Sequence, residues 1–317
     1  MRPIALAVVS CLAFASWTAA SPPNVVLIIS DDQAGTAFGF VGHEVIQPPN
    51  IDRLAAEGLT FTRGYVPGSL CRCSLASLIT GLYPHQHKIT SNDPAPGTDR
   101  ADMLQFIQHC ETVPGLLAGK GYASLQTGKW WEGSYALGGF THGMTHGDTA
   151  RGGRHGDEGL VIGREGLQPI FDFIEARDGQ PFFVWYAPFL PHEPHTPPAR
   201  LLEKYERPGR SPFVAKYWAM CEWFDETVGE LVGYLDGNGL GENTIVAFVV
   251  DNGWIQEPGK RGFAAKSKRS PYDGGLRTPI IIRWPGKVDP RMDRETNVPS
   301  LELVATLLTM CGVQSAE

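Results

Sequence analysis

The sequence has no surplus of basic charge. Its 27 Lys and Arg stand against 34 Asp and Glu over 317 residues, a formal net charge of -7. A general positive field of the kind that holds nucleic acid is thereby excluded. An apolar run long enough to cross a bilayer is also missing from its start, because the stretch from Ile4 to Ala15 falls short of the ~18 residues a span needs. Nor is there a disulfide framework. Of the 6 cysteines, Cys11 lies in that opening stretch, and Cys71, Cys73, Cys110, Cys221 and Cys311 are an odd set scattered over a long chain. In an exported protein the unpaired thiol is reactive, buried and inert, or modified. No internal repeat or low-complexity tract is visible, and a composition 42% hydrophobic and 19% charged excludes the disordered and fibrous classes.

What is present begins with a targeting pattern. Arg2, the apolar run and the small residues Thr18, Ala19 and Ala20 predict a secretory signal peptide over residues 1–20, cleaved near Ala20. That places the protein outside the cytoplasm, secreted or periplasmic, without stable membrane insertion, and leaves residues 21–317 as the mature domain. Gly 37 and Pro 25 point to short elements joined by many loops. Short β-branched apolar runs predict strands at Asn24 to Ser30, Tyr122 to Gln126, Phe182 to Ala187, Thr244 to Val250 and Pro279 to Arg283. The clearest helix runs from Phe213 to Leu235, with Gly237 placed to end it. A shorter one spans Ile51 to Glu57, with Asn50 as its cap. Continuous apolar strands alternating with helices imply an α/β fold with a largely parallel sheet covered on both faces.

Three segments carry chemistry. The first strand ends in Asp31-Asp32 and the fourth in Asp251-Asn252-Gly253, both at carboxyl ends of strands, where open α/β sheets bind ligands. If those strands are parallel neighbours, three carboxylates and an amide converge into an all-oxygen set suited to Ca²⁺ or Mg²⁺. Each half also has a structural reading: an acidic pair after a strand serves as a turn or cap, and Asn-Gly is a hairpin signal. The third segment, Gly68 to Gly81, runs from a loop into a short helix that Gly81 can terminate, so Cys71 stands at a helix N-terminus. Backbone N–H groups there depress a thiol pKa, while a buried structural cysteine is the plain alternative.

Taken together and in order, Asp31-Asp32, the Cys71 to Gly81 segment followed by Leu82-Tyr83-Pro84-His85, Gly128-Lys129-Trp130, Pro191-His192, Asp251-Asn252-Gly253, and Lys268 before Tyr272-Asp273-Gly274-Gly275 resemble the sulfatase family over nearly the whole mature chain. The resemblance implies an alkaline-phosphatase-like α/β sandwich and a sulfuric ester hydrolase. It implies that Cys71 is oxidised by a maturation enzyme to formylglycine, whose hydrate is the nucleophile. It places Asp31, Asp32, Asp251 and Asn252, with the modified Cys71, around Ca²⁺, with Mg²⁺ as the alternative. Lys129 and Lys268 map onto lysines that neutralise the sulfate and the leaving oxygen. His192 maps onto a histidine near the leaving group, a general acid.

Three positions depart from the family pattern. Where the family loop reads Cys-x-Pro-x-Arg or Cys-x-Ala-x-Arg, this chain has Cys73 and Leu75. Arg72 can replace the missing guanidinium only if the loop turns it inward. Gly-Lys-Trp-His becomes Gly128-Lys129-Trp130-Trp131, which makes His85, His87 and His142 the candidate stand-ins. The chain also ends at Glu317, before the smaller C-terminal subdomain that the resemblance implies, so a fragment or truncated product is expected. For an anionic substrate, positive charge is available at Arg151 to Arg154 and at Arg261 to Arg269, and Trp130, Trp131, Trp185 and Trp254 are candidates for stacking on a sugar or aryl group. Two other readings remain: a phosphate or phosphonate ester hydrolase using Cys71 or Ser74 without formylglycine, and a non-catalytic protein that keeps the metal site and binds sulfated glycans.

Overall fold

The computed structural model describes residues 21–151 and 154–314. The signal-peptide expectation therefore lies outside the described residues. Among those described, no helix is long and apolar enough to cross a membrane, and all five cysteines are free.

The core is a mixed sheet of nine strands: β1 (Asn24–Ser30), β2 (Leu59–Tyr65), β3 (Ala123–Gly128), β4 (His142–Gly143), β5 (Phe182–Ala187), β6 (Thr244–Val250), β7 (Arg277–Arg283), β8 (Arg291–Asp293) and β9 (Val298–Pro299). The order is β4-β3-β5-β1-β6-β7-β2-β8, with β9 also paired to β2. Only β7 runs antiparallel to its neighbours, β6 and β2. The expected strands are all present, with β3 extended to Gly128 and β7 begun at Arg277. β2 was not among the expected strands. Its burial alternates along Leu59–Tyr65 instead of running continuously, and Arg63 and Gly64 interrupt the apolar pattern.

Because successive side chains of a strand point to opposite faces, the buried runs of β1, β5 and β6 feed two cores. Val25, Leu27, Ile29, Trp185, Ala247 and Val249 pack on one side against α2 (Cys71–Thr80), α3 (Val113–Ala118) and α6 (Ser300–Met310). Val26, Ile28, Val184, Phe248 and Val250 pack on the other against α1 (Pro49–Glu57), α4 (Gln168–Glu175) and the long α5 (Pro212–Gly237). The sandwich of helices around a largely parallel sheet is the one the sequence implied.

Two helix ends differ from expectation. α1 starts at Pro49, so Asn50 lies inside its first turn and does not cap it. The capping acceptor comes from α5 instead: Asp225 takes the N–H of Asn50 at 3.1 Å and of Ile51 at 2.7 Å, and clamps the two helices together. α5 continues through Gly237, and the first left-handed residue beyond it is Gly239.

Candidate active site

The register of β1 against β6 decides the site. The strands are parallel neighbours with Ser30 opposite Val250, so the acidic pairs leave the sheet side by side. Asp251 donates its N–H to Ser30 O at 2.9 Å, and its Oδ1 accepts the N–H of Asp32 at 3.0 Å. Asp32 adopts a left-handed φ of 61°, and its Oδ1 accepts from Asn252 Nδ2 at 2.7 Å. All four side chains are buried.

Lysines enter from two other loops. β3 ends at Gly128, where a φ of 75° and the carbonyl of Ala187, which would lie 1.9 Å from a Cβ, admit only glycine. The turn sends Lys129 inward, with Nζ 2.6 Å from Asp31 Oδ1 and 4.0 Å from Asp251 Oδ2. Lys268 lies 2.6 and 2.7 Å from the two carboxylate oxygens of Asp32. Its loop is tied to the Cys71 loop by Arg269 N–H donating to Ser69 O at 3.0 Å. Three acids thus face two lysines. Burial pushes Asp32 up, but the charges of Lys268, His192 and Lys129 outweigh it and hold its carboxyl below the usual range. Asp251 bears the shortfall: burial, then the charge of Asp31, pushes it up to about 8.

The unpaired atoms show what would relieve this. Asp31 Oδ2, Asp251 Oδ2 and Asn252 Oδ1 are buried without a hydrogen-bond partner. Buried polar atoms are nearly always paired, so three orphaned oxygens from adjoining residues fit a hard, oxygen-seeking cation. One ligand atom each from Asp31, Asp32, Cys71 and His192 also lie within 4.8 Å of one another.

Cys71 is the first residue of α2, as its position after the loop predicted. Its Sγ is 3.1 Å from Lys268 Nζ, 3.9 Å from Asp32 Oδ1 and 4.0 Å from Asp31 Oδ1. The expected depression of its pKa is not found. Burial dominates over the nearby Lys129 and Lys268 and pushes the thiol far up, because a buried thiolate loses its hydration. The unmodified sulfur is therefore a thiol and a weak nucleophile. His192 completes the floor, with Nδ1 donating to Glu193 O at 2.5 Å and Nε2 3.2 Å from Asp32 Oδ2. Burial and Lys129 push its pKa down to about 3 against the pull of Asp32. An incoming anion works in the opposite direction and restores proton affinity. Arg164 fixes this loop by donating to the carbonyls of Phe189, at 2.7 Å, and His192, at 3.2 Å.

These groups open into a cavity of about 420 Å³ that Asp32, Cys71, Lys129, His192 and Lys268 share with Trp131, Arg154, His155, Trp254 and Arg269. A second cavity, about 480 Å³, lies behind the same loop beside Cys73 and is lined mainly by Pro, Ser and Leu side chains.

Several expectations fail here. Arg72 turns away from the pocket: its Nε and Nη2 form a 2.7 Å fork on buried Glu132, and Nη2 also donates to Met103 O. Leu75 packs in the core under α2. Ser74 is buried with an unpartnered Oγ and does not line the cavity. None of the candidate stand-in histidines reaches the pocket. His87 binds Ser77 at 3.0 Å, His85 stacks on Tyr83, and His142 lies against Phe173 on the sheet edge. Trp130 and Trp185 pack on each other inside the core, leaving only Trp131 and Trp254 at the cavity. Of the basic loops, Arg154, Lys268 and Arg269 reach it. His155 was missed, since nothing in Arg154-His155-Gly156 marks one loop histidine above another.

The family model described as Sulfatase matches residues 23–313. Human arylsulfatase A is 32% identical over 94% of this chain, and N-acetylgalactosamine-6-sulfatase of Rattus norvegicus 27% over 98%; the chain covers 66% of the length of each. The crystal structure of Ps i-CgsB superimposes with a TM-score of 0.77 at 26% identity, over 93% of this chain and 73% of that one. A match across nearly all the described residues, on an alkaline-phosphatase-like sheet whose strand ends gather the motif residues, establishes that the chain belongs to the sulfatase family.

Proposed function

We propose that the protein hydrolyses sulfate esters of aryl or carbohydrate alcohols, with Cys71 as the position that a maturation enzyme converts to formylglycine. One observation carries the reading. The Cys71 side chain stands at the meeting point of a lysine, two aspartates and an all-oxygen cluster at the floor of a cavity. Asp31, Asp32, Asp251 and Asn252, with the oxygen that would replace Sγ of Cys71, are the ligands for Ca²⁺, or alternatively Mg²⁺. Such an ion polarises sulfate oxygens and acidifies a nearby hydroxyl.

The chain's own groups do the rest. Lys129 and Lys268, fixed by Asp31 and Asp32, offset the negative charge of the bound ester and of the oxygen that departs. His192, oriented by its bond to Glu193 O and held by Arg164, delivers a proton from Nε2 to the leaving alcohol. Burial of the floor keeps bulk water from competing. The signal-peptide pattern in the sequence of residues 1–20 supports the proposal that the protein is exported to the periplasm or exterior.

The geometry weakens the rival that uses an unmodified nucleophile. The Cys71 thiol is held protonated by burial, and Ser74 does not line the cavity. Peptide mass spectrometry on the Cys71 peptide from the native host tests the reading, paired with turnover of matched aryl sulfate and aryl phosphate esters. An aldehyde in place of the thiol, with sulfate preferred, is the expected result. Intact thiol with phosphate preferred replaces the reading with a phosphoesterase. Sulfated-glycan binding that survives Cys71→Ala, with no turnover of either ester, replaces it with a binding protein.

A further inference from the structure

One histidine in the cavity has no task in the reaction above. His155 lies on the loop that follows β4, its ring centroid 5.1 Å from Trp131, 5.2 Å from Phe189 and 6.5 Å from His192. Its Nδ1 is buried with no hydrogen-bond partner among the described residues. Since the side chain lines the cavity, Nε2 is the nitrogen on the open side. An unsatisfied buried nitrogen costs about 1–3 kcal/mol, and such a cost retained beside a reaction centre calls for a functional account. Burial, with Lys129, His192, Arg154 and Lys268 around it, pushes the imidazole down to about 3, so it is neutral and carries a free lone pair.

Of the other ionisable groups at the cavity, all but Arg269 have a side-chain partner among the described residues. Asp32 is held by Lys268 and Asn252. Asp93 is forked by Arg154 and also bound by Arg100. Glu193 accepts from Gly262 N–H and lies 3.7 Å from Arg261. Lys129 is bound to Asp31. His192 is fixed between Asp32 and the Glu193 carbonyl. Ester hydrolysis requires two proton movements on opposite sides of the transferred group, one to the departing alcohol and one from the hydroxyl that attacks. His192 serves the first.

Resting on the sulfatase reading, we propose that His155 is the second proton-transfer residue of this site and accepts at Nε2 the proton released by the hydroxyl at position 71. The O–H bond of that hydroxyl breaks as its oxygen forms the new bond to sulfur with the freed electron pair, and the proton forms an N–H bond on His155. The bond from sulfur to the alcohol oxygen breaks with its pair on that oxygen, which His192 protonates. The imidazolium at His155 returns its proton to solvent water, so no oxidant or reductant is required. Trp131, against which the ring lies, holds it toward the cavity.

Two measurements test this, one of them independent of maturation. Inorganic sulfate titrated into the full chain, with Cys71 as the thiol and histidines labelled with ¹⁵N, should shift the His155 imidazole resonances toward the imidazolium position. Those resonances are identified by their absence in His155→Gln. The signals of His87, bonded to Ser77 outside the cavity, should stay fixed. In the matured enzyme, His155→Gln should lower kcat on aryl sulfates by about 10²-fold, by the same factor for good and poor leaving groups, and added imidazole should restore part of the activity of His155→Gly. His155 signals that ignore sulfate overturn the proposal. So does a kcat loss under about threefold, or one that grows as the leaving group worsens, which would put His155 on the same side as His192. If the wild type turns over no sulfate ester, the sulfatase reading fails by itself, and the titration still decides whether His155 faces a bound anion.

Discussion

The two walls of the cavity are built on opposite principles. On the strand-end wall, Asp31, Asp32, Asp251, Asn252, Lys129 and Lys268 are locked by mutual hydrogen bonds, and their backbones continue the fully buried strands or are tied to them. Behind the nucleophile wall, the positions that would carry a proline or alanine, an arginine and a histidine carry Cys73, Leu75 and Trp131 instead, all buried, and of the three only Trp131 lines the cavity. One wall is a charge balance, in which removing a member strands its partner. The other is packing, in which a side chain can be exchanged for another that fills the same space. The three departures from the family pattern, Cys73, Leu75 and Trp131, all fall outside the charge balance.

The sharpest way to break this comparison is at the one residue that belongs to both walls. Cys71→Ala should abolish sulfate-ester turnover in matured protein, by roughly 10⁴–10⁶-fold in kcat as for loss of a nucleophile. It should leave thermal unfolding close to that of the wild type, because the side chain it shortens is small and neutral. A loss below tenfold would remove Cys71 from the chemistry. On the strand-end wall the order reverses, with stability the larger readout. Lys268→Ala leaves Asp32 buried without its main counter-charge, and breaking a buried pair in this way costs about 3–5 kcal/mol. Urea unfolding of the full chain measures it, and a change under about 1 kcal/mol, the value of an exposed pair, would show the wall to be less balanced than its distances imply.

Metal removal probes the same wall more gently. A bound ion stabilises the native state by about 2.7 kcal/mol at a concentration one hundredfold above its Kd. Chelation should therefore lower Tm by roughly 5 °C or more for a domain of this size, and Ca²⁺ should restore it. An unchanged melting curve together with no metal by elemental analysis would show that the orphaned oxygens of Asp31, Asp251 and Asn252 are not a cation site. His192 stands where the walls meet and gives a smaller effect. His192→Ala should slow esters of poor leaving groups by about 10²-fold and nitrophenyl esters much less, since only the former need the proton. Equal losses on both would remove it from that role.

What was legible in the sequence follows the same division. The strands that place the strand-end wall are uninterrupted apolar runs, so β1, β5 and β6 could be read with their bounds intact, and the acids after β1 and β6 came with them. β2 was not read, because a strand covered unevenly alternates and Arg63 and Gly64 blur even that. The start of α1 was misread for a different reason: its capping group, Asp225, is 174 residues from Ile51 in the chain, and no local pattern contains it. The same limit applies to His155 and to Glu132, which neutralises Arg72. Both act through partners distant in sequence. The sequence leaves Cys71 open between a depressed and a buried thiol, because a helix N-terminus is visible in sequence, whereas burial of the sulfur is a property of the packed loop.

The smallest expected effect concerns the packed wall itself. Cys73 is the third residue of α2, and the first α2 N–H bonded within the chain's backbone is that of Ser74, to Leu70 O at 3.1 Å. A proline at 73 therefore forfeits no helical hydrogen bond and meets the first-turn geometry in which proline is tolerated. Leu75 is less forgiving, because an arginine there would enter the apolar core beneath α2 unless its guanidinium reached the cavity. Cys73→Pro should leave Tm within a few degrees, whereas Leu75→Arg should lower it further, because a poorly paired buried charge is costly. If the proposed modification of Cys71 is limited by how the maturation enzyme grips the unfolded segment, Cys73→Pro should raise the aldehyde fraction at Cys71 by mass spectrometry with no change in the folded site. An aldehyde fraction that is already complete in the wild type, and unmoved by either change, would mean that Cys73 and Leu75 were selected for packing without any penalty to maturation.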